Sequence, residues 1–282
     1  MEWTERMNNA VSYIEEHIKE EIDYVSAAKA AYCSVYHFQR IFAYMADMPL
    51  SEYIRRRRMS LAAEELQSGS GKIIDIALNY GYSSPTAFNR AFRSIHGIPP
   101  SEARTAGIQL KSFPRISFRV IIKGAEEMNY RIEKKDAFRI IGISMPLHKE
   151  IDMNFEIVPQ MWDKAAQDGT LQKLTALMNS QPAGMLGVSI CGNEENWKYF
   201  IAVSSQDTDG EWEEYTVPAL EWAVFSGHGN GRTVQELEKR IITEWLPSSG
   251  YEYDSGPDIE LYLDADPQDM KFEVWIPVKK AE

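Results

Sequence analysis

Residues 34–54 read SVYHFQRIFAYMADMPLSEYI, and residues 84–104 read SPTAFNRAFRSIHGIPPSEAR. The two stretches match at a constant offset of fifty, with seven identities in 21 positions. The identical pairs are Ser34/Ser84, Phe38/Phe88, Arg40/Arg90, Phe42/Phe92, Pro49/Pro99, Ser51/Ser101 and Glu52/Glu102. Similarity at a fixed spacing indicates a repeated structural unit, and two copies predict a paired module.

Each copy has the pattern of a helix-turn-helix. Short helices, each followed by a tight turn, are predicted over residues 25–31 and 73–80. Ser34 and Ser84 then stand where a side-chain oxygen caps a second helix. The first turn has Ala31 where the second has Gly81, so we expect the two turns to differ, because glycine adopts positive φ most readily.

The second helix of each copy has an apolar side and a polar side. In the first copy the apolar positions are 35, 38, 41, 42 and 45. The polar side carries Tyr36, Gln39 and Arg40 in the first copy, and Thr86, Asn89 and Arg90 in the second. Amide and guanidinium groups suit the edges of adenine and guanine. A Gln-Arg pair is more often a solvated surface, but its recurrence at one register favours base contact.

Residues 1–107 resemble the DNA-binding domain of the AraC-type transcription regulators. The resemblance is carried by the SxxxFxRxF core at residues 34–42, by YIRRRRMSLAAEEL at 53–66 and by IALNYGYSSPTAFNRAFRSIHGIPPSEAR at 76–104. It implies an all-α domain in which two helix-turn-helix units, joined by a long helix, enter successive major grooves of double-stranded DNA. It also implies that the six polar residues named above contact bases, and it makes RNA polymerase a further candidate partner.

Residues 50–67 are predicted to form the helix that joins the two units, with Ser51 as its cap. Four consecutive arginines, residues 55–58, lie within it. They cannot all face one way, because each residue turns a helix by about 100°. We expect Arg55 and Arg58 to reach DNA phosphates, and the others to form ion pairs with Glu52 or Glu65.

The net charge of −12 is unevenly distributed along the chain. Residues 24–107 hold 10 basic and 6 acidic residues, whereas residues 108–282 hold 18 basic and 29 acidic residues. The predicted DNA-binding part is therefore mildly basic. The acidic remainder is expected to weaken nonspecific binding to phosphates and to favour sequence readout.

The composition argues against several other classes of protein. No apolar stretch is long enough to span a bilayer, so we expect no membrane partner. The two cysteines fall in different predicted domains and the five histidines are scattered, so we expect no disulfide framework, metal site or cofactor. A reducing cytoplasm fits this composition.

The second half of the chain changes to longer strands and amphipathic helices. Residues 108–127 are predicted as an extended linker, and residues 128–282 as an α+β domain of two tandem β-α-β-β repeats. The first repeat is predicted as a strand at 138–144, a helix at 158–167 and a hairpin of 185–191 with 198–204. The second is predicted as a strand at 220–227, a helix at 234–245 and a hairpin of 259–263 with 272–278. A Thr233-x-x-Glu236 capping box is predicted to open the second helix.

This domain resembles the GyrI-like effector-binding module that is often fused to AraC-type DNA-binding domains. The resemblance is carried by residues 128–144, 222–229, 258–264 (DIELYLD) and 272–279. It implies a small-molecule effector, often amphipathic or an organic cation, bound between the two repeats beside a glutamate among aromatic rings. Glu260 matches that glutamate.

Strand alternation predicts the neighbours of Glu260. Tyr262 shares its face, while Ile259, Leu261 and Leu263 form the face expected to pack on a helix. If Phe272, Val274 and Ile276 face the core, Trp275 lies on the Glu260 side. A carboxylate beside aromatic rings can bind an organic cation, and the less favoured alternative is that Glu260 is a solvated strand residue. Further candidates, which could equally be core residues, are Trp162, Tyr199, Tyr215 and Trp222.

These features favour a ligand-responsive transcription regulator that is not an enzyme. One alternative is a hydrolase of reactive small molecules, as some GyrI-like relatives are, with Glu260 acting beside Tyr199 or Tyr262. The chain shows no nucleophile with a base and an orienting group, which weakens this alternative. Another is a module that binds a protein partner through its acidic surface. The sequence does not identify the effector, the operator, the oligomeric state or the sign of regulation.

Overall fold

The computed structural model describes residues 3–69, 71–119, 127–191, 196–207, 210, 212–264 and 269–281. It divides into two compact units, Met1–Arg119 and Val120–Glu282. The first unit is helical and the second is built on a sheet, which confirms the predicted order of a helical domain followed by an α+β domain. Residues 120–126 of the predicted linker lie outside the described residues.

The helices of the first unit form two helix-turn-helix pairs, α2 with α3 and α5 with α6. In chain order they are α1 (Trp3–Glu16), α2 (Tyr24–Ala30), α3 (Val35–Ala46), α4 (Leu50–Gln67), α5 (Ile73–Asn79) and α6 (Pro85–His96). The oxygen of Ser34 accepts a hydrogen bond from the His37 amide at 3.2 Å, and that of Ser84 accepts one from the Ala87 amide at 3.4 Å. The two predicted serine caps are confirmed.

Helix α4 begins differently from the prediction. It starts at Leu50, directly after Pro49, and no side chain caps it. Ser51 already lies inside the helix, so the capping role predicted for it is wrong. The ring of Pro49 holds φ at −59°, which suits a residue at the start of a helix and takes the place of a polar cap.

The turns of the two helix-turn-helix units differ by one residue. Gly81 has φ of 81°, as expected for the second turn. In the first turn the left-handed residue is Tyr32, with φ of 59°, and Ala31 is helical, with φ of −85°. The left-handed residue therefore precedes Ser34 by two positions and Ser84 by three. The left-handed residues of the two turns are thus 49 residues apart, although the sequences match at an offset of fifty.

A nearly buried ion pair joins α1 to α4. Arg57 donates to the two carboxylate oxygens of Glu15 at 2.8 and 2.7 Å, and the Tyr53 hydroxyl donates to the same carboxylate at 2.6 Å. The Arg57 and Glu15 side chains are only 12% and 10% exposed. Burial alone would raise the pKa of Glu15, but the hydrogen bonds from Arg57 and Tyr53 outweigh burial and lower that pKa.

Residues 108–119 of the predicted linker are extended and pack along the first unit. The Phe113 amide donates to the Ser60 hydroxyl at 2.9 Å. The Phe118 amide donates to the Asn8 side-chain oxygen at 2.8 Å, and the Asn8 side-chain nitrogen donates to the Phe118 carbonyl at 3.0 Å. These bonds extend the first unit to residue 119, beyond the predicted boundary at 107.

We expect Arg57→Met to destabilise the first unit by about 3–5 kcal/mol, because it leaves the Glu15 carboxylate buried without its cationic partner. Arg55→Met is the matched control. The Arg55 side chain is 42% exposed in its pair with Glu52, and losing that pair should cost about 1 kcal/mol or less. Urea unfolding followed by far-ultraviolet circular dichroism measures both variants. Equal losses of unfolding free energy in the two variants would show that the Arg57–Glu15 pair contributes no more to stability than an exposed pair does.

The second unit is built on one antiparallel sheet. Its elements are β1 (Tyr130–Lys135), β2 (Phe138–Pro146), a 3-10 turn (Ile151–Met153), α7 (Asn154–Gln167), α8 (Thr170–Leu177), β3 (Met185–Ile190), β4 (Lys198–Ser204), β5 (Glu213–Val217), β6 (Leu220–Gly229), α9 (Gly231–Arg240) with a π-helical continuation (Ile241–Trp245), β7 (Tyr251–Tyr253), β8 (Asp258–Tyr262) and β9 (Met270–Lys280). Over the described residues the strand order is β1-β6-β9-β8-β3-β4-β2-β5, and β7 pairs with the end of β9.

The structure adds strands that the sequence did not predict. Each half begins with two strands, β1 and β2 or β5 and β6, where one was expected, and β7 is also additional. β1 and β5 carry several charged residues and lie at the two edges of the sheet, where charge discourages pairing with other chains. The predicted Thr233 capping box is wrong, because Asn230 caps α9 and accepts from the amides of Arg232 and Thr233 at 3.0 and 3.4 Å.

Candidate functional sites

Helix α6 presents a polar face to solvent. Thr86, Asn89 and Arg90 are exposed, as predicted, and the phenylalanines of the motif are buried on the opposite side. Arg93 is also exposed and follows Asn89 and Arg90 by one turn, so the same face carries it. That helical spacing was the signal in the sequence that could have identified Arg93.

Helix α3 does not present the matching residues to solvent. Tyr36, Gln39 and Arg40 are 9%, 2% and 6% exposed, so the exposure predicted for them is wrong. The Arg40 guanidinium lies 5.7 Å from the centre of the Tyr44 ring, and the Tyr36 ring meets that of His37 at 5.7 Å. Helical periodicity tells on which side of a helix a residue lies, but not whether that side is open to solvent.

Arg58 has a structural environment. Its guanidinium donates to the carbonyl oxygens of Ile18 at 2.8 Å and Glu20 at 2.6 Å, just beyond the end of α1. Burial lowers its pKa. A phosphate contact requires an available guanidinium. Because the Arg58 guanidinium is bonded to two backbone carbonyls, the structure argues against the phosphate contact predicted for it.

Arg55 and Arg56 share one carboxylate. Both donate to Glu52. The Glu52 pair predicted for Arg56 is confirmed, the pair of Arg55 was not predicted, and the partner predicted for Arg57 is wrong because Arg57 pairs with Glu15. Glu65, the other predicted partner, instead lies 3.4 Å from the Lys19 ammonium and accepts a hydrogen bond from the Tyr80 hydroxyl at 3.1 Å. Arg55 remains substantially exposed, so its phosphate contact stays a prediction.

A polar cluster surrounds Glu260 in the second unit. The Tyr262 hydroxyl donates to Glu260 Oε2 at 2.6 Å, and the Tyr199 hydroxyl donates to the same oxygen at 3.2 Å. Trp162 Nε1 donates to the Tyr199 hydroxyl at 2.9 Å, and the Trp162 ring meets the Tyr262 ring edge-on at 5.2 Å. The structure thus brings four of the predicted ligand-binding residues into one connected group.

The two tyrosines act as donors toward the carboxylate. Burial raises the pKa of Tyr199 and of Tyr262 well above the ordinary value, and the negative charge of Glu260 raises both further. Both hydroxyls therefore remain protonated. A partly buried carboxylate is stabilised here by hydroxyls of the protein, which compensate for the loss of water.

Strand register explains why these side chains meet. Residues directly opposite each other in antiparallel strands share a face of the sheet. Glu260 in β8 lies opposite Gly187 in β3 and Val274 in β9. A Cβ atom on Gly187 would lie 2.2 Å from the Tyr199 hydroxyl and 3.0 Å from Glu260 Oε2. The missing side chain of Gly187 therefore leaves the room in which Tyr199 reaches Glu260.

Trp275 lies on the opposite face of the sheet. Its direct partner in β8 is Ile259, and its ring packs 5.9 Å from Trp222 in a buried apolar cluster. The predictions that Trp275 and Trp222 line the site are wrong. Phe272, Val274 and Ile276, which are buried, share the face of Glu260 instead. Alternation separates Trp275 from these three residues correctly, but it could not show which face of β9 joins the face of Glu260 in β8.

Tyr215 also belongs to the far side of the sheet. It packs against the same apolar cluster, with its ring 6.2 Å from that of Phe200. Its predicted place at the site is wrong. The expectation that a helix covers the face of Ile259 is wrong as well, because Trp162 of α7 contacts residues on the face of Glu260.

One carboxylate near the site was missed. Glu238 of α9 is 7% exposed, and its negative charge contributes to the raised pKa of both Tyr199 and Tyr262. It follows the buried Val234 by four residues, which places it on the apolar side of the helix. An acidic residue at an apolar position of an amphipathic helix was the available signal, because glutamate is seldom buried without a partner.

Helix α7 covers the site loosely. Its apolar residues near Trp162 are only partly buried: Ile157, Val158 and Met161. Phe155, one turn earlier, is 41% exposed. In α9 and its continuation the apolar residues Val234, Ile241 and Ile242 are buried instead. Helix α7 therefore keeps partly buried apolar surface near Trp162, whose ring contacts Tyr262.

The cluster contains groups that can bind an organic cation. A carboxylate, three aromatic rings and half-open apolar surface attract an organic cation through charge, ring quadrupole and burial together. Over the residues with described placement, no group of three or more His, Cys, Asp or Glu side chains could hold a metal ion. Over the same residues, no helix has the length and apolar character needed to cross a bilayer.

Two helix-turn-helix pairs therefore precede a sheet that carries the Glu260 cluster. Residues 128–279 match the GyrI-like small molecule binding domain, and residues 27–106 match a helix-turn-helix domain of the AraC type. The first match spans more than half of the chain, so the chain belongs to the GyrI-like small molecule binding domain family.

Curated relatives cover the chain to different extents. The uncharacterized HTH-type transcriptional regulator YbfP of Bacillus subtilis is 31% identical over 57% of this chain. The matched part covers half of the length of YbfP. The regulatory protein SoxS of Salmonella typhimurium is 38% identical over 33% of this chain and 88% of its own. The right origin-binding protein of Escherichia coli is 24% identical over 95% of this chain and 96% of its own.

We expect Gly187→Ala to disrupt the cluster, because its Cβ would overlap the Tyr199 hydroxyl. The overlap should cost about 1–3 kcal/mol of stability. Gly231→Ala, at the start of α9, is the matched control, since a Cβ there meets nothing within 4 Å. Thermal unfolding of both variants tests the expectation. A Gly187→Ala protein as stable as the control would mean that Tyr199 moves aside without loss.

Proposed function

We propose that the protein is a sequence-specific DNA-binding transcription regulator whose activity is modulated by a small amphipathic or cationic ligand bound at Glu260. The observation that carries the proposal is the hydrogen-bonded group of Glu260, Tyr262, Tyr199 and Trp162 beside half-buried apolar surface. The membership of residues 128–279 in a small-molecule-binding family and the helix-turn-helix match of residues 27–106 support it.

Base readout is assigned to α6 first. Thr86, Asn89 and Arg90 are exposed on one face, with amide and guanidinium groups that suit adenine and guanine. Tyr36, Gln39 and Arg40 are assigned to the first unit's contacts by their position in the repeat, although their burial means that they must become accessible before they reach DNA. Arg55 is kept as a phosphate contact because it is exposed.

The second unit is proposed to be two tandem repeats related by a pseudo-twofold axis. The four strands β1, β2, β3 and β4 of the first repeat correspond in this order to β5, β6, β8 and β9 of the second. Exchanging each strand with its counterpart reverses the strand order of the sheet, as a twofold axis requires. The axis then falls between β3 and β8. Aligning the first residues of β3 and β8 makes Gly187 the counterpart of Glu260, which also lies directly opposite it. Because Gly187 has no side chain, the carboxylate of Glu260 can occupy the position near the axis.

Catalysis is the less favoured alternative. Glu260 accepts from two tyrosines whose raised pKa values keep them protonated, so neither is poised to act as a base. Two of the relatives named above, SoxS and YbfP, carry names that describe regulators. A cytoplasmic location and an interaction with RNA polymerase remain predictions of the proposed function.

For DNA binding, we expect Arg90→Ala to cost about 1–3 kcal/mol on specific DNA and little on random DNA, because a base contact carries sequence information. Arg232→Ala removes the same charge from an arginine of the second unit whose side chain is 85% exposed, and serves as control. Titration of labelled duplexes at fixed salt measures both. Equal losses of Arg90→Ala on both DNAs would assign Arg90 to a phosphate.

For the ligand, we expect Glu260→Gln to weaken binding of an organic cation by about 1–3 kcal/mol and to affect a neutral molecule of similar shape much less. Glu213→Gln is the control, because Glu213 is half exposed on the edge strand β5 and pairs with Lys198. Calorimetric titration of the full chain with tetraphenylphosphonium and a neutral tetraphenyl analogue measures the difference. Unchanged cation affinity would remove Glu260 from the ligand site.

A further inference from the structure

His96, the last residue of α6, is buried, and both of its ring nitrogens are hydrogen-bonded. Its exposed fraction is 7%. The Lys111 amide lies 3.2 Å from Nδ1, and Nε2 lies 3.1 Å from the carbonyl oxygen of Met59 in α4. An amide N–H can only donate and a carbonyl can only accept, so Nδ1 is unprotonated and Nε2 carries the proton. The contacts therefore specify the neutral ring in one tautomer.

Lys111 belongs to an extended segment, residues 110–118, that we call the strap. Hydrogen bonds tie the strap to α4 at Phe113 and to α1 at Phe118. His96 ties it to the C-terminal end of α6. One imidazole ring thus joins three elements: the helix proposed to read bases, the long helix α4 and the strap.

Directional bonds are needed to fix the rotation of α6 about its own axis. Phe88 and Phe92 bury their rings against the core, but apolar burial has no preferred direction. Hydrogen bonds require defined distances and angles. Within the described residues, two side chains of α6 bond to other elements. Ser94 accepts from Arg55 at 3.1 Å on the exposed surface, and His96 makes the buried bonds.

A positive charge on the His96 ring is incompatible with these contacts. A protonated ring carries a hydrogen on each nitrogen, so Nδ1 would face a second donor at the Lys111 amide. Burial lowers the pKa of His96, the bond to the Met59 carbonyl raises it, and the Lys111 charge lowers it, with a lowered pKa as the result. The neutral ring therefore stabilises the fold fully above the ordinary pKa of about 6.5. That stabilisation is lost as the pH falls through the lower pKa of the folded chain.

The charged side chains within four residues of these contacts are all basic: Arg55, Arg56, Arg57 and Arg58 of α4, Arg93 of α6, and Lys111 and Arg115 of the strap. The arginines of α4 bond to carboxylates or to backbone carbonyls, and Arg115 donates to Ser12. Arg93 is exposed. This set supplies no negative charge that would stabilise a protonated ring.

We propose that neutral His96 is a positioning residue for base readout, which holds α6 at a fixed rotation by joining it to α4 and to the strap. Reading a base edge requires the side chains of α6 to meet the duplex at a defined angle, whereas attraction to phosphates does not. The inference rests on the proposed DNA-binding role of α6 and names the residue that orients that helix.

The test uses a duplex that the full wild-type chain selects from a random library, with an unselected duplex as reference. His96→Leu removes both hydrogen bonds and should weaken binding of the selected duplex about tenfold, while the affinity for the unselected duplex stays within about twofold. The amide of His96→Gln can accept and donate, so this variant should bind the selected duplex within about threefold of wild type. Fluorescence titration at fixed salt measures the affinities.

His17→Leu is the matched control, because the His17 ring bonds to the Tyr13 carbonyl in its own segment of chain. It should leave both affinities unchanged. Equal losses of His96→Leu on the two duplexes, or no loss on either, would overturn the positioning role and leave the proposed function standing. If the wild-type chain selects no duplex from the library, the DNA-binding function itself is overturned.

A pH titration of the wild-type chain makes the same test without a substitution. Nuclear magnetic resonance of the ring nitrogens follows protonation of His96, and amide hydrogen exchange follows the Lys111 amide. As the ring protonates, below pH of about 6.5, the Lys111 amide should lose its protection and the ratio of the two DNA affinities should fall with the same midpoint. The Phe118 amide, which Asn8 accepts, should stay protected. A protected Lys111 amide or a constant ratio beside a protonated ring would overturn the inference.

Discussion

The carboxylate of Glu260, taken out of bulk water on one face of the sheet, is the constraint on which the second unit depends. Hydroxyls must replace its water, and Tyr262 and Tyr199 supply two at 2.6 and 3.2 Å. Tyr199 needs the space that Gly187 leaves open, and Trp162 orients the Tyr199 hydroxyl from above. The strand register, the missing side chain of Gly187 and the position of Trp162 in α7 therefore all stabilise the carboxylate of Glu260.

Local features of the fold were predictable from the sequence, and long-range ones were not. The serine caps and the helix-turn-helix pairs depend on residues within a few positions of each other, so the repeat at residues 34–54 and 84–104 predicted them. The faces of β9 depend on pairing with β8 and β6, far away in the chain. Alternation along β9 does not show which of its faces joins the face of Glu260, so Trp275 was placed on the wrong side of the sheet.

The candidate sites show the same limit. Glu260, Tyr262, Tyr199 and Trp162 meet as expected, because an acidic residue and aromatic rings stand out against apolar strands. Exposure was harder to predict than helical side. Arg90 in α6 is exposed, whereas Arg40 at the matching position of α3 is 6% exposed. Likewise, nothing in four consecutive arginines indicates that Arg57 pairs with Glu15, forty-two positions earlier.

The uneven charge of the chain suits a division of tasks between the two units. Residues 108–282 carry 29 acidic against 18 basic residues, and this excess produces a negative potential that attracts cations and repels phosphates. The same field would concentrate the proposed cationic ligand near Glu260 and disfavour contact of this half with DNA. Residues 24–107, with 10 basic against 6 acidic residues, are left to approach the duplex. Because that excess is small, specific base contacts must contribute more of the affinity than nonspecific attraction to phosphates does.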